Sequence, residues 1–88
     1  MNQHAINARA YGMAQGAMSE LKAAIFLLLT EASEPGLRNV DIGRALGIYA
    51  GHEAHEGHIP RALLSIMESD GTVSQDSETK RWTIQSNI

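Results

Sequence analysis

Leu21, Ala24, Ile25, Leu28, Leu29 and Ala32 repeat with the i, i+3, i+4, i+7, i+8, i+11 spacing of one buried helix face. This unbroken stripe constrains the fold more than any other feature, because a helix so apolar along one side must be covered. Phe26 and Leu27 widen the stripe, so burial on more than one side is expected. Ser19 is the expected N-cap, with Glu20 in the first turn. Pro35 disfavours helical geometry at Glu34 and Gly36 follows, so the helix is expected to end near Ser33. In a chain of 88 residues there is room for one domain with one modest core. Such a chain buries roughly 60–65% of its unfolded surface, a level at which help from a partner is physically reasonable.

Upstream of Ser19 the sequence is rich in Ala, Asn, Gln and Gly. Ile6, Ala10 and Met13 recur at helical spacing, but Gly12 and Gly16 each cost a helix about 1 kcal/mol relative to Ala. Residues 1–18 are therefore expected to form a flexible or weakly helical segment, read as a frayed tail in preference to a segment ordered against a second copy. Residues 19–88 are expected to form the folded domain.

Downstream, Asn39-Val-Asp-Ile-Gly-Arg-Ala-Leu46 predicts a short second helix capped by Asn39, with Asp41 in its first turn. Ile42, Ala45 and Leu46 form its inward stripe, and Gly47 supplies the left-handed residue after it, with Ile48 closing a Schellman contact. A third helix is predicted to start around His58 to Pro60, to turn Ile59, Leu63, Ile66 and Met67 inward, and to stop at Gly71. The period then changes to two. Val73, Trp82 and Ile84 point inward, and Asp76-Ser-Glu-Thr-Lys80 reads as an exposed hairpin tip. The residues just before Asn39 are placed to add a short strand to that hairpin. The fold class is therefore mainly α with a small β-hairpin.

The chain contains no cysteine, which excludes disulfides, thiol catalysis and thiolate metal sites. No apolar run approaches the length of a membrane span, and no basic start leads into an apolar block, so a cytoplasmic, non-membrane protein is expected. The net charge of −3 gives no support from bulk electrostatics for binding nucleic acid.

Helix, short helix, third helix and hairpin, in that order, resemble the winged helix-turn-helix superfamily over residues 19–84. The segment Asn39-Val-Asp-Ile-Gly-Arg-Ala-Leu-Gly-Ile48 is similar to the helix that enters a helix-turn-helix. Leu63-Leu-Ser-Ile-Met-Glu-Ser-Asp-Gly-Thr-Val73 is similar to the end of a recognition helix running into a wing. The resemblance implies a third helix that enters the major groove of DNA and a wing that touches backbone or minor groove. One departure stands out: residues 47–57 are inserted where a helix-turn-helix has a connection of about three or four residues. That longer link is free to reposition the third helix or make contacts of its own.

His58, Arg61, Ser65 and Glu68 share the polar face of the third helix, and Arg61 suits a bidentate contact with guanine. Lys80 and Arg81, beside the hairpin tip, suit phosphates; a solvated face and a solubilising turn are the plainer accounts. The expected DNA-binding residues are thus His58, Arg61, Ser65, Lys80 and Arg81. Arg61, Lys80 and Arg81 set against Glu53, Glu56, Asp76 and Glu78 leave this face at −1, and charging His52, His55 and His58 takes it to +2. Binding is accordingly expected to be weak at neutral pH and to tighten as histidines charge. With about three phosphate contacts, the log–log salt slope should be shallow, near about −2.7. A homodimer would double the contacts.

His52, His55 and His58, interleaved with Glu53 and Glu56, have the donor types of a zinc or nickel site. Their spacing does not hold one helical face, and position 56 is Glu where a His-Glu-x-x-His motif needs histidine, so no metal is expected and these three are the candidates if one binds. Trp82 is assigned to the core against the first helix, and Tyr49 to a lid over it in preference to a phosphate contact. No nucleophile–base arrangement, carboxylate pair or phosphate-cradling loop is present, so neither an enzyme nor a cofactor is expected. The leading expectation is a DNA-binding transcriptional regulator of prokaryotic or phage type, acting as a homodimer. The alternatives are a winged-helix protein-interaction module, or the DNA-recognition subunit of a larger system.

Overall fold

The computed structural model describes residues 2–32, 35–49 and 56–85. Three helices precede a two-stranded antiparallel hairpin: α1 (Gln3–Ala32), α2 (Asn39–Ala45), α3 (His58–Ser69), β1 (Val73–Gln75) and β2 (Trp82–Ile84). The class is mainly helical with a small sheet, as expected. Every element contributes to the core, which gathers Ile25 and Leu29 from α1, Ile42 from α2, Leu63, Leu64 and Met67 from α3, Val73 from β1 and Trp82 from β2.

The largest difference from expectation is in α1. It is one continuous helix of 30 residues, and Ser19 lies inside it instead of capping it. The cap is Asn2, whose side-chain oxygen accepts the Ala5 N–H at 2.8 Å. An i,i+4 bond from Gln3 Nε2 to Asn7 Oδ1 (2.8 Å) reinforces the first turn. Residues 2–17 are exposed throughout, and the helix joins the core only from Met18 onward. This projection gives a radius of gyration of 15.0 Å, against about 12 Å for a compact chain of this length. Burial of α1 is also one-sided: Phe26 is 42% and Leu27 64% exposed, because α3 and the hairpin cover only the side carrying Ile25 and Leu29.

The start of α2 differs by one residue. Arg38 occupies the cap position in extended geometry, and Asn39 is the first helical residue. The Asp41 carboxylate accepts the Arg38 backbone N–H at 3.1 Å and pairs with the Arg38 guanidinium at 3.2 Å. Asn39 is used elsewhere: its Nδ2 donates to the Gly57 carbonyl (3.3 Å), tying the start of α2 to the start of α3. The end of α2 is as expected, except that Ala45, assigned to the inward stripe, is exposed. Gly47 has φ +71°, Ile48 N–H reaches the Gly43 carbonyl (2.8 Å) and Gly47 N–H the Arg44 carbonyl (3.3 Å), which is the Schellman pattern. The same pattern ends α3, where Thr72 N–H bonds Met67 O (2.9 Å) and Gly71 N–H bonds Glu68 O (3.0 Å).

In the hairpin Val73 faces Ile84, Ser74 faces Thr83 and Gln75 faces Trp82. The segment before α2 adds to it, as anticipated: Leu37 and Trp82 exchange backbone hydrogen bonds of 3.1 and 2.7 Å across an isolated antiparallel bridge. Leu37 therefore lies on the β2 side of the hairpin. Gly36 makes this approach feasible, with φ +90° and no room for a Cβ beside the Trp82 carbonyl oxygen. Trp82 is buried as expected, and β2 packs on α1.

Candidate nucleic-acid interface

The rotation of α3 about its own axis decides what it shows to solvent. Pro60, Leu63, Leu64 and Met67, at i, i+3, i+4 and i+7, are buried. The expected inward stripe is thus corrected at two places. Ile59 (43% exposed) and Ile66 (40%) lie at the edge of the exposed face, while Pro60 and Leu64 point into the core. His58, Arg61, Ser65 and Glu68 are exposed, as the polar-face assignment requires.

The start of α3 is built by Gly57, whose φ of +86° is a left-handed conformation. A Cβ there would meet Asn39 Nδ2 and the Tyr49 ring, each at 2.7 Å. Tyr49 also lies close over Gly43, and the Arg44 guanidinium carbon stands 5.4 Å from its ring centroid. Tyr49 therefore plugs the α2–α3 junction, half-buried, in keeping with its assignment as a lid. Arg61 extends beside this junction, with its Nη2 within 3.4 Å of the Glu56 carbonyl.

At the hairpin tip the Asp76 carboxylate accepts the backbone N–H groups of Glu78 and Thr79, both at 2.8 Å. Those two bonds hold the Asp76 pKa below the usual aspartate range. Lys80 takes a positive φ of 64°, with its N–H on the Asp76 carbonyl (2.9 Å) and its own carbonyl accepting Gln75 Nε2 (3.1 Å). Its side chain is exposed. Arg81 behaves differently. It is half-buried, and Nη1 donates to the Gly36 carbonyl at 3.0 Å, so its guanidinium braces the hairpin against the segment entering α2. The five expected contact residues thus fall into two sets, His58, Arg61 and Ser65 on α3, and Lys80 and Arg81 on the hairpin.

Sequence reasoning missed what lies beside the first set. Met18 and Leu21 of α1, with Ile59, Ala62 and Ile66 of α3, line an apolar groove of about 310 Å³ next to His58. Helical spacing does not reveal it, because an inward stripe through Ile59, Leu63 and Ile66 fits the same period. The structural bonds of Asn39 and Arg81 are long-range and left no local signature. His52 and His55 lie outside the described residues, as does Glu53. Among the described residues no three His, Asp or Glu side chains gather into a metal-binding group. No described helix is long and apolar enough to cross a membrane.

In comparisons with known proteins, no family model, no curated protein and no solved structure matches this chain.

Proposed function

We propose that this chain is a winged-helix protein that binds duplex DNA and serves as a transcriptional regulator. The exposed face of α3 would dock in the major groove through His58, Arg61 and Ser65, with Lys80 and Arg81 of the hairpin at the backbone. The observation that carries the reading is one of order and pairing. An extended residue, Leu37, precedes two helices and returns to pair with the second strand of the terminal hairpin, leaving α3 exposed along its polar face. That is the connectivity a winged helix needs.

The electrostatics call for weak, salt-sensitive binding. Arg81 is engaged with the Gly36 carbonyl and Arg61 with the Glu56 carbonyl, so Lys80 is the cation offered most freely, while exposed Arg61 is the one on α3. An amide-resolved NMR titration with mixed-sequence duplex DNA at low salt tests the reading. Shifts clustered at residues 58–65 and 80–81, fading as salt rises, are expected. A spectrum unchanged at every ratio rejects DNA binding. The second reading, a protein-interaction module, would then take its place. It is favoured by the apolar flank at Ile59 and Ile66 and by the net charge of −3.

A further inference from the structure

We propose that two copies of this chain associate through antiparallel α1 helices, each projecting half lying along the other copy's Met18–Leu21 turn and its Ile59–Ile66 flank. The proposal stands apart from the DNA reading and is tested without DNA.

The need for a partner comes from helix physics. Residues 3–17 span about 22 Å at the usual rise; all are exposed, and none joins the core cluster of the described residues. Helices of ~12–15 residues are marginal in water even when rich in alanine, and this one carries Gly12 and Gly16. It also leaves Ile6 45% and Met13 67% exposed. The structure therefore holds a helical half whose apolar side chains lie outside the core of the described residues.

The choice of partner comes from the pattern along that side. At about 100° per residue, Ile6, Ala10, Met13, Ala17, Leu21 and Ala24 fall within an arc of about 80°. The stripe runs without a break from the projecting half to the edge of the apolar groove between α1 and α3. Set two such stripes antiparallel, crossing near Gln15, and large residues meet small ones. Ile6 faces Ala24 of the second copy, Met13 faces Ala17 and Ala10 faces Leu21. The small side chains let the helices approach closely, and the opposing large ones fill the space.

The charges agree with the same register. From Gln3 to Ser19 the helix carries Arg9 and no acid, and Glu20 is the first carboxylate after it. Arg9 and Glu20 lie within about 20° of each other, on one edge of the stripe. In a two-fold antiparallel pair, residues on the same edge meet, so Arg9 of each copy stands opposite Glu20 of the other. The register that matches large to small is thus also the register that matches cation to anion. A DNA-binding chain paired this way would present two α3 helices and call for symmetric half-sites.

Sedimentation velocity with light scattering on the full chain, over a wide concentration range, tests the pairing. A reversible rise to twice the chain mass is expected. Met13→Glu, at an exposed position that leaves the core intact, should abolish it. Arg9→Glu and Glu20→Arg should each weaken the dimer about three- to tenfold, as expected for rim charges, and the double variant should restore it. A chain that stays monomeric throughout overturns the proposal, whatever else covers the stripe. So does a dimer indifferent to both reversals, or a double variant weaker than either single one.

Discussion

The two halves of α1 share a backbone geometry and little else. From Met18 to Ala32 the helix is held by tertiary packing, with Ile25 fully buried and Leu29 3% exposed against α3 and the hairpin. From Gln3 to Ala17 it is held by its own hydrogen bonds, the Asn2 cap and alanine content, with no side chain in the core. Continuity is itself the link between them. The packed half supplies the nucleus that an isolated peptide would have to form unaided, so the projecting half needs only propagation. A helix can therefore outrun its own core when its first turns are well capped and rich in alanine.

The contrast can be broken from either end. Ile25→Ala should cost about 2–5 kcal/mol, because it empties a fully buried site shared by several elements; a loss below ~1 kcal/mol in chemical denaturation would mean that this half is not the anchor. Gly12→Ala with Gly16→Ala should stabilise the projecting half by about 1 kcal/mol each. No neighbour lies within 4 Å of the added methyl groups. Slower amide exchange over residues 5–17 checks it, with exchange in α3 unchanged. Ile6→Ala, in dilute protein, should move global stability by no more than about 0.5 kcal/mol, as surface changes do. Any larger drop would place Ile6 in a core.

The smallest effect is electrostatic and belongs to the packed side of the molecule. The Arg38 guanidinium, hydrogen-bonded to Asp41, holds that carboxylate below its usual value of 3.8. A lowered folded-state pKa stabilises the fold fully above the unfolded value and is lost as pH falls through the folded one. Acid should therefore remove a small increment of stability below about pH 4, and Asp41→Asn should remove that part of the dependence. Denaturation midpoints measured at pH 5 and pH 3 in both proteins make the comparison.

What could be read in the sequence followed periodicity and turn chemistry. The core half of α1, the three-helix order, the glycines at 47 and 71 and the inward Trp82 are all local signals, and the fold uses each of them. The misses arise where tertiary context decides. Ser19 is a good cap residue, yet the apolar stripe continues through it and Asn2 offers a cap where the helix does start. Asn39 has the composition of a cap but is drawn to Gly57, a residue distant in sequence. In α3, stripes through Ile59 and Ile66 or through Pro60 and Leu64 are both compatible with helical spacing, and packing on α2, where Pro60 lies against Gly43, and on β1 goes with the second. Of the candidate site, the exposure of His58, Arg61 and Ser65 was legible because it follows from helix phase. The brace from Arg81 to Gly36 was not, since it joins segments at opposite ends of the domain.

The long first helix also governs how this protein behaves in flow. With principal extents of 50 × 39 × 20 Å, a single chain drags more solvent than a sphere of its mass. It would elute early from a sizing column and tumble anisotropically, with amides along α1 relaxing differently from those across it. Elution volume alone would then mistake a lone chain for a pair, and only a shape-independent mass can tell the two apart.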